Sequence, residues 1–429
     1  MRIALIVFCL LMGNYVHAVE VRTAESKHVT GWFIQDTTLP IVHASIRFNG
    51  AGAISDSVSK AGRASLASQL LREGAGSLDA RAFNEKLDYY AIDLDVSAGR
   101  DDLVITVSTL KEHADKAFEL VGIMLDDPHM DEEDITRIRT EHIAGIKTLQ
   151  QRPHYIAAQS FAQHAFGEHP YANPVYGTVE SITELTRDDL HAYVEEYISS
   201  YNAEFSASGD VTAEDISRYM SLLFDALPVR MRNTLIDEVI IATPDDPLIV
   251  KKSFPQTIVS MGTNGIARND KDFYAAYVMN HMLGGSGLTS QLSDVLRHQH
   301  GLTYSVSSGL STNDYSQWLS INFATKGESA DKAVALTMDT LRDVASSGFS
   351  EEQLALAKDN ITGEFPLNID SNAERTVYLS IMQKYGLGTD YLDKRNHYMR
   401  NVTMDDIKRV TSRLIQPNNF LTILVGDPS

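Results

Sequence analysis

The sequence predicts an α+β protein built from two homologous halves, each a mixed or antiparallel sheet with helices packed against it. Three features carry that prediction: an internal duplication, strand patterns that alternate with longer helical ones, and a proline-rich break near the middle. The chain has 429 residues. That exceeds what one hydrophobic core usually organises, about 250 to 300 residues.

The duplication is the strongest of the three. TRDDLHAYVEEYISSYNAEFSASGD (Thr186–Asp210) and TMDDIKRVTSRLIQPNNFLTILVGD (Thr403–Asp427) align without a gap. Thr186/Thr403, Asp188/Asp405, Asp189/Asp406, Ile198/Ile415, Asn202/Asn419, Gly209/Gly426 and Asp210/Asp427 are identical pairs. Each copy reads as a Thr-capped helix with acids in its first turn, a short loop and a strand ending at Gly-Asp. A chain that closes each half on the same unit is read as a duplication.

Taken in order, MRIALIVFCLLMGNYVHA pairs an early Arg2 with ten apolar residues, Ile3 to Met12, and a small-residue ending. This reads as a secretory signal over residues 1–18, too short to span a bilayer. Residues 19–228 form the first half, in which Ile41–Phe48 and Leu103–Leu110 read as strands and Asp131–Gln150 as a helix. Four of the twelve prolines, Pro228, Pro244, Pro247 and Pro255, mark a linker assigned to 229–255. Residues 256–429 form the second half.

Composition excludes several classes of function. The only cysteine, Cys9, lies in the leader, so the mature chain has neither disulfides nor a catalytic thiol. Without Arg2, 36 Lys and Arg face 57 Asp and Glu, a formal net charge of −21. Such a charge repels nucleic acid and anionic membranes. No later stretch is long and apolar enough to be a membrane span. Export without a disulfide framework points to a bacterial periplasm.

The stretch GGSGLTSQLSDVLRHQHGLTYSVSSG (Gly284 to Gly309) holds the most suggestive chemistry. Its glycines lack the G-K-[ST] ending of a phosphate loop and read instead as a break between two helices. The second helix is expected over Leu288–His300, with Leu288, Leu292, Val295 and Leu296 on one apolar face and Gly301 as its end. Arg297 then lies in a last helical turn, where a cation is favoured by the dipole whatever its function. Tyr304 falls in an expected strand, LTYSVSS, on the face of Leu302 and Val306, where a tyrosine packs. The functional alternative is a guanidinium and a phenol that donate together to a carbonyl or oxyanion.

Other candidates are weaker. His164 and His169 in HAFGEH are five residues apart, about 500° of helix, so their rings diverge by about 140°. His298 and His300 are two apart at a helix end and point to different sides. Neither pair has metal-site spacing. No G-x-S-x-G elbow is present, and Glu195-Glu196 and Asp245-Asp246 read as solvated faces or turns.

The residues resemble the pitrilysin/insulinase family of zinc peptidases, the family of the mitochondrial processing peptidase. The similarity runs through FNGAGAISDSVSKAGRASLASQLLREG, HPYANPVYG and the Thr186–Asp210 unit, and then through GGSGLTSQLSDVLRHQHGLTYSV. The resemblance implies α/β units facing each other across a cavity, enclosed here with a partner subunit. It also implies where a zinc motif, HxxEH, should stand. Ser65 and Gln69 occupy the histidine positions and Ser68 the glutamate position, a set unsuited to zinc or to base catalysis. The third ligand position falls on Gly145 or, one turn away, Glu141. In active members an Arg and a Tyr reach toward substrate near the metal, and Arg297 and Tyr304 match them. The implied protein is a zinc-less subunit, with no metal or cofactor of its own, whose homologous HxxEH-bearing partner supplies Zn2+ for hydrolysis of peptides. The other reading is a non-catalytic peptide-binding or structural assembly protein that uses the inherited cavity.

Overall fold

The computed structural model of the protein describes residues 20–230, 236–243 and 246–428. The leader, and Pro244 and Asp245 of the proline-rich stretch, lie outside the described residues. In the first half the strands are β1 (Val21–Glu25), β2 (Thr30–Gln35), β3 (Ile41–Phe48), a small ribbon of β4 (Gly74–Ala75) and β5 (Leu78–Asp79), β6 (Asp93–Ala98), β7 (Leu103–Leu110) and β8 (Ala203–Gly209). The second half contributes β9 (Leu248–Lys251), β10 (Thr257–Asn264), β11 (Val306–Thr312), β12 (Gln317–Thr325) and β13 (Leu421–Gly426).

Each half is a mixed sheet with helices. The first sheet runs β1-β2-β8-β3-β7-β6 and the second β11-β12-β10-β13-β9. Reversed, the second order matches the first strand for strand from β2 to β6, and the polarity matches as well. The pairs β2/β8 and β9/β13 are parallel, and the other pairs in the matched set are antiparallel. The stretch 229–255 is therefore more than a linker, because its residues 248–251 form β9 and complete the second sheet.

The repeated unit has a physical explanation at both of its ends. Thr186 and Thr403 cap the helices Arg187–Tyr197 and Met404–Leu414, and each exchanges hydrogen bonds with the aspartate three residues on. Gly209 and Gly426 sit at φ of 135° and 155°. A Cβ there would lie 2.1 Å from the Ile41 carbonyl oxygen and 2.5 Å from Thr257 Oγ1, where β8 and β13 end against the starts of β3 and β10. Only glycine permits that approach in either half.

One face of the first sheet carries Val42, Ala44, Ile46 and Phe48 of β3 with Ile105 and Val107 of β7 into a large apolar core. Its other face presents His43, Ser45 and Arg47, because strand side chains alternate. The halves then interlock through equivalent helices. Pro153–Phe166, from the first half, lays Ala157, Phe161 and Ala165 on the second sheet beside Ile258, Ile423 and Val425. Asn372–Lys384, from the second half, covers the polar face of the first sheet. There Ser208 Oγ donates to Asn372 Oδ1 at 2.8 Å, Arg47 Nη2 donates to Ser380 Oγ at 2.8 Å, and Leu379 and Met382 pack with Ile34. Among the described residues no helix is long and apolar enough to cross a membrane.

Candidate functional site

The helix Arg63–Leu70 carries Ser65, Ser68 and Gln69, the positions expected for the zinc motif. It starts at Gly62, and its first turn is held by Asp56, which accepts from the Gly62 and Ala64 N–H groups at 3.1 and 3.3 Å and faces Arg63 Nε at 3.4 Å. Asp56 is buried. Burial pushes its carboxyl up to about 6, against the opposing pull of Arg63 and the helix N–H groups. The Arg63 guanidinium also stands over the Tyr193 and Tyr197 rings at 5.6 and 5.5 Å and donates to the Ser55 carbonyl.

One turn along, Ser65 and Ser68 are buried, and Ser68 Oγ donates to the Ser65 carbonyl at 2.8 Å. Gln69 reaches across to the helix Glu132–Leu149. Its Nε2 donates to His142 Nδ1 at 2.7 Å, and His142 Nε2 donates to the Tyr176 carbonyl at 2.8 Å. Both ring nitrogens are thus engaged in a way that only the neutral imidazole satisfies. Burial lowers the His142 pKa and keeps it neutral, while the Tyr176 hydrogen bond acts the other way.

Gln69, Glu141, His142, Gly145 and Tyr176 surround a cavity of about 240 Å³. Both candidates for the third ligand therefore border it. Glu141 is exposed and faces Arg137 at 3.7 Å, whereas a Cβ at Gly145 would meet no atom within 4 Å. The side chains present do not suit zinc. A neutral amide, two serine hydroxyls and a histidine that already uses both nitrogens leave Glu141 as the only carboxylate on this wall. Among the described residues no group of three or more His, Cys, Asp or Glu could hold a metal ion.

Arg297 and Tyr304 meet at the other candidate position. The Arg297 guanidinium stands over the Tyr304 ring at 4.9 Å from its centroid. The local structure differs from the expected helix and strand. A short 3-10 turn, Gly287–Thr289, precedes a helix that starts at Gln291, capped by Ser290, and widens into a π turn over Asp294–Gln299. Leu288 is exposed and does not join the apolar face that Leu292 and Leu296 bury.

The strand begins at Val306, so Tyr304 lies outside it and is 83% exposed. The cause is Thr303, whose Oγ1 donates to the Ser305 and Ala324 carbonyls and accepts from the Ser305 N–H, which holds 303–305 in a turn. Gly284 belongs to a widened turn over His281–Gly285, packed so closely on β11 that a Cβ would lie 2.6 Å from Ser308 Oγ.

The histidine pairs do not converge. His164 donates to the Ser160 carbonyl within its own helix, and His169 bonds the Asp237 carbonyl and the Tyr171 N–H. His298 bonds the Leu288 carbonyl. Two residues that sequence reasoning passed over, Asp56 and His142, organise the motif region. His142 directly follows Glu141 in RTEHIAG, and its burial was the signal missing from the sequence.

Family models match most of the chain. Residues 34–179 match the insulinase (peptidase family M16) model, and 184–361 match the peptidase M16 inactive domain. The chain belongs to the peptidase M16 family. A non-peptidase homologue from Helicobacter pylori is 26% identical over 85% of this chain and 84% of its own length. An uncharacterised zinc protease of Mycobacterium tuberculosis is 25% identical, over 88% and 87%. Among solved structures, an M16 inactive domain from Pseudomonas fluorescens superposes with a TM-score of 0.89 at 24% identity, covering 95% of this chain and 98% of that one. The periplasmic protease PqqL of Escherichia coli gives 0.80 at 16% identity and covers 96% of this chain, which spans 46% of PqqL.

Proposed function

We propose that this chain is the zinc-less subunit of an exported, two-subunit M16 peptidase, working with a homologous partner that carries HxxEH. The observation that carries this reading is the state of Arg297. It is partly buried and stacked on Tyr304, and among the described residues it makes no ion pair, in a chain with 57 acidic side chains. Its N–H donors and the exposed Tyr304 hydroxyl are left for a group outside the chain. A partner bearing HxxEH would hold the zinc, which would supply Lewis-acid activation of the attacking water. Arg297 and Tyr304 hold the peptide carbonyl oxygen and donate to it as negative charge develops. The leader-like N-terminus, and the structural likeness to the periplasmic protease PqqL, support a periplasmic setting.

The test is co-expression with an exported HxxEH-containing homologue, followed by size-exclusion chromatography and peptidase assays of each subunit and of the mixture. Activity is expected only in the mixture. Arg297→Ala or Tyr304→Phe should lower turnover by about 10² to 10³ without changing assembly or zinc content. Turnover unchanged in both variants removes their catalytic role. A second reading, a peptide-binding or assembly protein without catalysis, is favoured by the similarity to a non-peptidase homologue. Peptide binding by the single chain, with no hydrolysis in any mixture, would establish it.

A further inference from the structure

A cavity of about 270 Å³ lies between the polar face of the first sheet and one side of the helix Asn372–Lys384. The helix Arg63–Leu70 packs on the opposite face of that sheet, so this cavity is separate from the candidate site described above. We propose that it binds a neutral, hydroxyl-rich ligand the size of one sugar ring. At this volume it lies at the small end of ligand pockets.

Strand register brings its polar groups together. His43 of β3 stands opposite Ser108 of β7, which stands opposite Asp93 of β6, and Ser45 stands opposite Thr106 in the next row. Alternation puts all five side chains on one face. None of them hydrogen-bonds or ion-pairs through its side chain with a described residue. Ser45 is only 5% exposed, and it borders the cavity. A buried hydroxyl without a partner in the chain is one that something else must pair. Elsewhere on this face the helix supplies the partners. Ser206 Oγ donates to the Thr376 carbonyl at 3.4 Å, and Ser208 and Arg47 bond Asn372 and Ser380. In the second half the corresponding face is filled. A Cβ at Gly262 would lie 2.4 Å from the Phe161 ring, and Ser260 Oγ donates to Asn322 Oδ1 at 2.9 Å.

The donors and acceptors decide the ligand class. Each hydroxyl both donates and accepts, as does a neutral imidazole, whereas the Asp93 carboxylate only accepts. Burial lowers the His43 pKa, against the opposing pull of Asp93, and keeps the ring neutral at neutral pH. An ammonium would satisfy Asp93 but offer no acceptor to the three hydroxyls and the imidazole. An anion would meet Asp93 where, among the described residues, no lysine or arginine lines the cavity. Neighbouring hydroxyls on one ring meet both demands: a pair donates to the carboxylate, and the others exchange hydrogen bonds with Ser45, Thr106, Ser108 and His43. Ala373 and Val377 add an apolar wall that suits the C–H face of such a ring.

Titrations followed by saturation-transfer NMR on the mature chain test this with the methyl α-pyranosides of glucose, galactose and mannose and with myo-inositol. At least one should bind saturably, with glucuronate and cyclohexanol each at least about tenfold weaker. Ser45→Ala should weaken that ligand about fivefold to tenfold. Val377→Trp, at an exposed position, should abolish binding by filling the cavity while leaving the thermal midpoint unchanged. No saturable binding by any of the four, tighter binding of ethanolamine than of all four, or binding that neither variant changes would overturn the proposal. A disaccharide ending in the bound ring that binds as tightly identifies the end of a glycan chain as the source. Its exclusion identifies a free small polyol, and the proposal holds in both cases.

Discussion

The proposed reading takes Ser65, Ser68 and Gln69 on one side and Arg297 and Tyr304 on the other as the counterparts of one catalytic centre, yet the two regions use their polar groups in opposite ways. Around Gln69 the donors and acceptors satisfy one another: Gln69 to His142, His142 to the Tyr176 carbonyl, Ser68 to the Ser65 carbonyl. Around Arg297 they do not, and a guanidinium with no carboxylate partner among the described residues rests on an 83% exposed tyrosine. The first arrangement contributes to stability and leaves little for a ligand. The second adds little to stability and keeps its donors available. Buried polar groups must be paired within the chain, whereas exposed ones are free to be paired by something else.

The largest expected effect that sharpens this contrast is at Asp56. Asp56→Ala removes the carboxylate that holds the motif helix and leaves Arg63 buried without its partner. It should cost about 3 to 5 kcal/mol in chemical denaturation. Gln69→Leu comes next, because it leaves His142 Nδ1 without a donor, at about 1 to 3 kcal/mol by the same measurement. A loss as small as that of a surface substitution would show that the Gln69–His142 bond does not hold these helices together.

The pH dependence separates His142 from Asp56 by sign. The folded pKa of His142 is lowered, so below the ordinary histidine value of about 6.5 the unfolded chain binds the proton first and stability falls as the solution is acidified. His142→Gln should remove that part of the profile in a wild-type-minus-variant comparison. Asp56 acts oppositely. With its folded pKa raised to about 6, stability rises as pH falls from about 6 toward the ordinary aspartate value of 3.8. The smallest expected effect is at the open position, where Arg297→Ala and Tyr304→Ala should each change unfolding free energy by less than about 0.5 kcal/mol. A large destabilisation there would break the contrast, since the pair would then be part of the packing.

Much of the fold was legible because its signals are local. The strands Ile41–Phe48 and Leu103–Leu110 match β3 and β7, since alternation along a strand is written residue by residue. The helix expected over Asp131–Gln150 is Glu132–Leu149, with Asp131 before its first turn. The duplicated unit was visible because its Thr-Asp caps and its Gly209/Gly426 ends answer to short-range sterics that recur wherever the unit does. The stretch from Gly287 to Ser305 was misread where tertiary contacts overruled periodicity. There Thr303 bonds a carbonyl 21 residues away and ends the strand early, and Leu288 is left in solvent.

The sequence alone thus determined the two halves, their closing units, the absence of zinc-suited side chains at Ser65, Ser68 and Gln69, and the presence of Arg297 and Tyr304. The halves and their closing units are a matter of near-neighbour spacing, and the zinc-motif positions and the Arg/Tyr pair follow from the family resemblance that the sequence carries. Tertiary structure decided the rest. It set the exchange of helices Pro153–Phe166 and Asn372–Lys384 between sheets, the neutral Gln69–His142 bond and the exposure of Tyr304. These depend on which surfaces meet across long sequence separations, and burial and pairing are properties of the assembled fold that no single stretch of chain encodes.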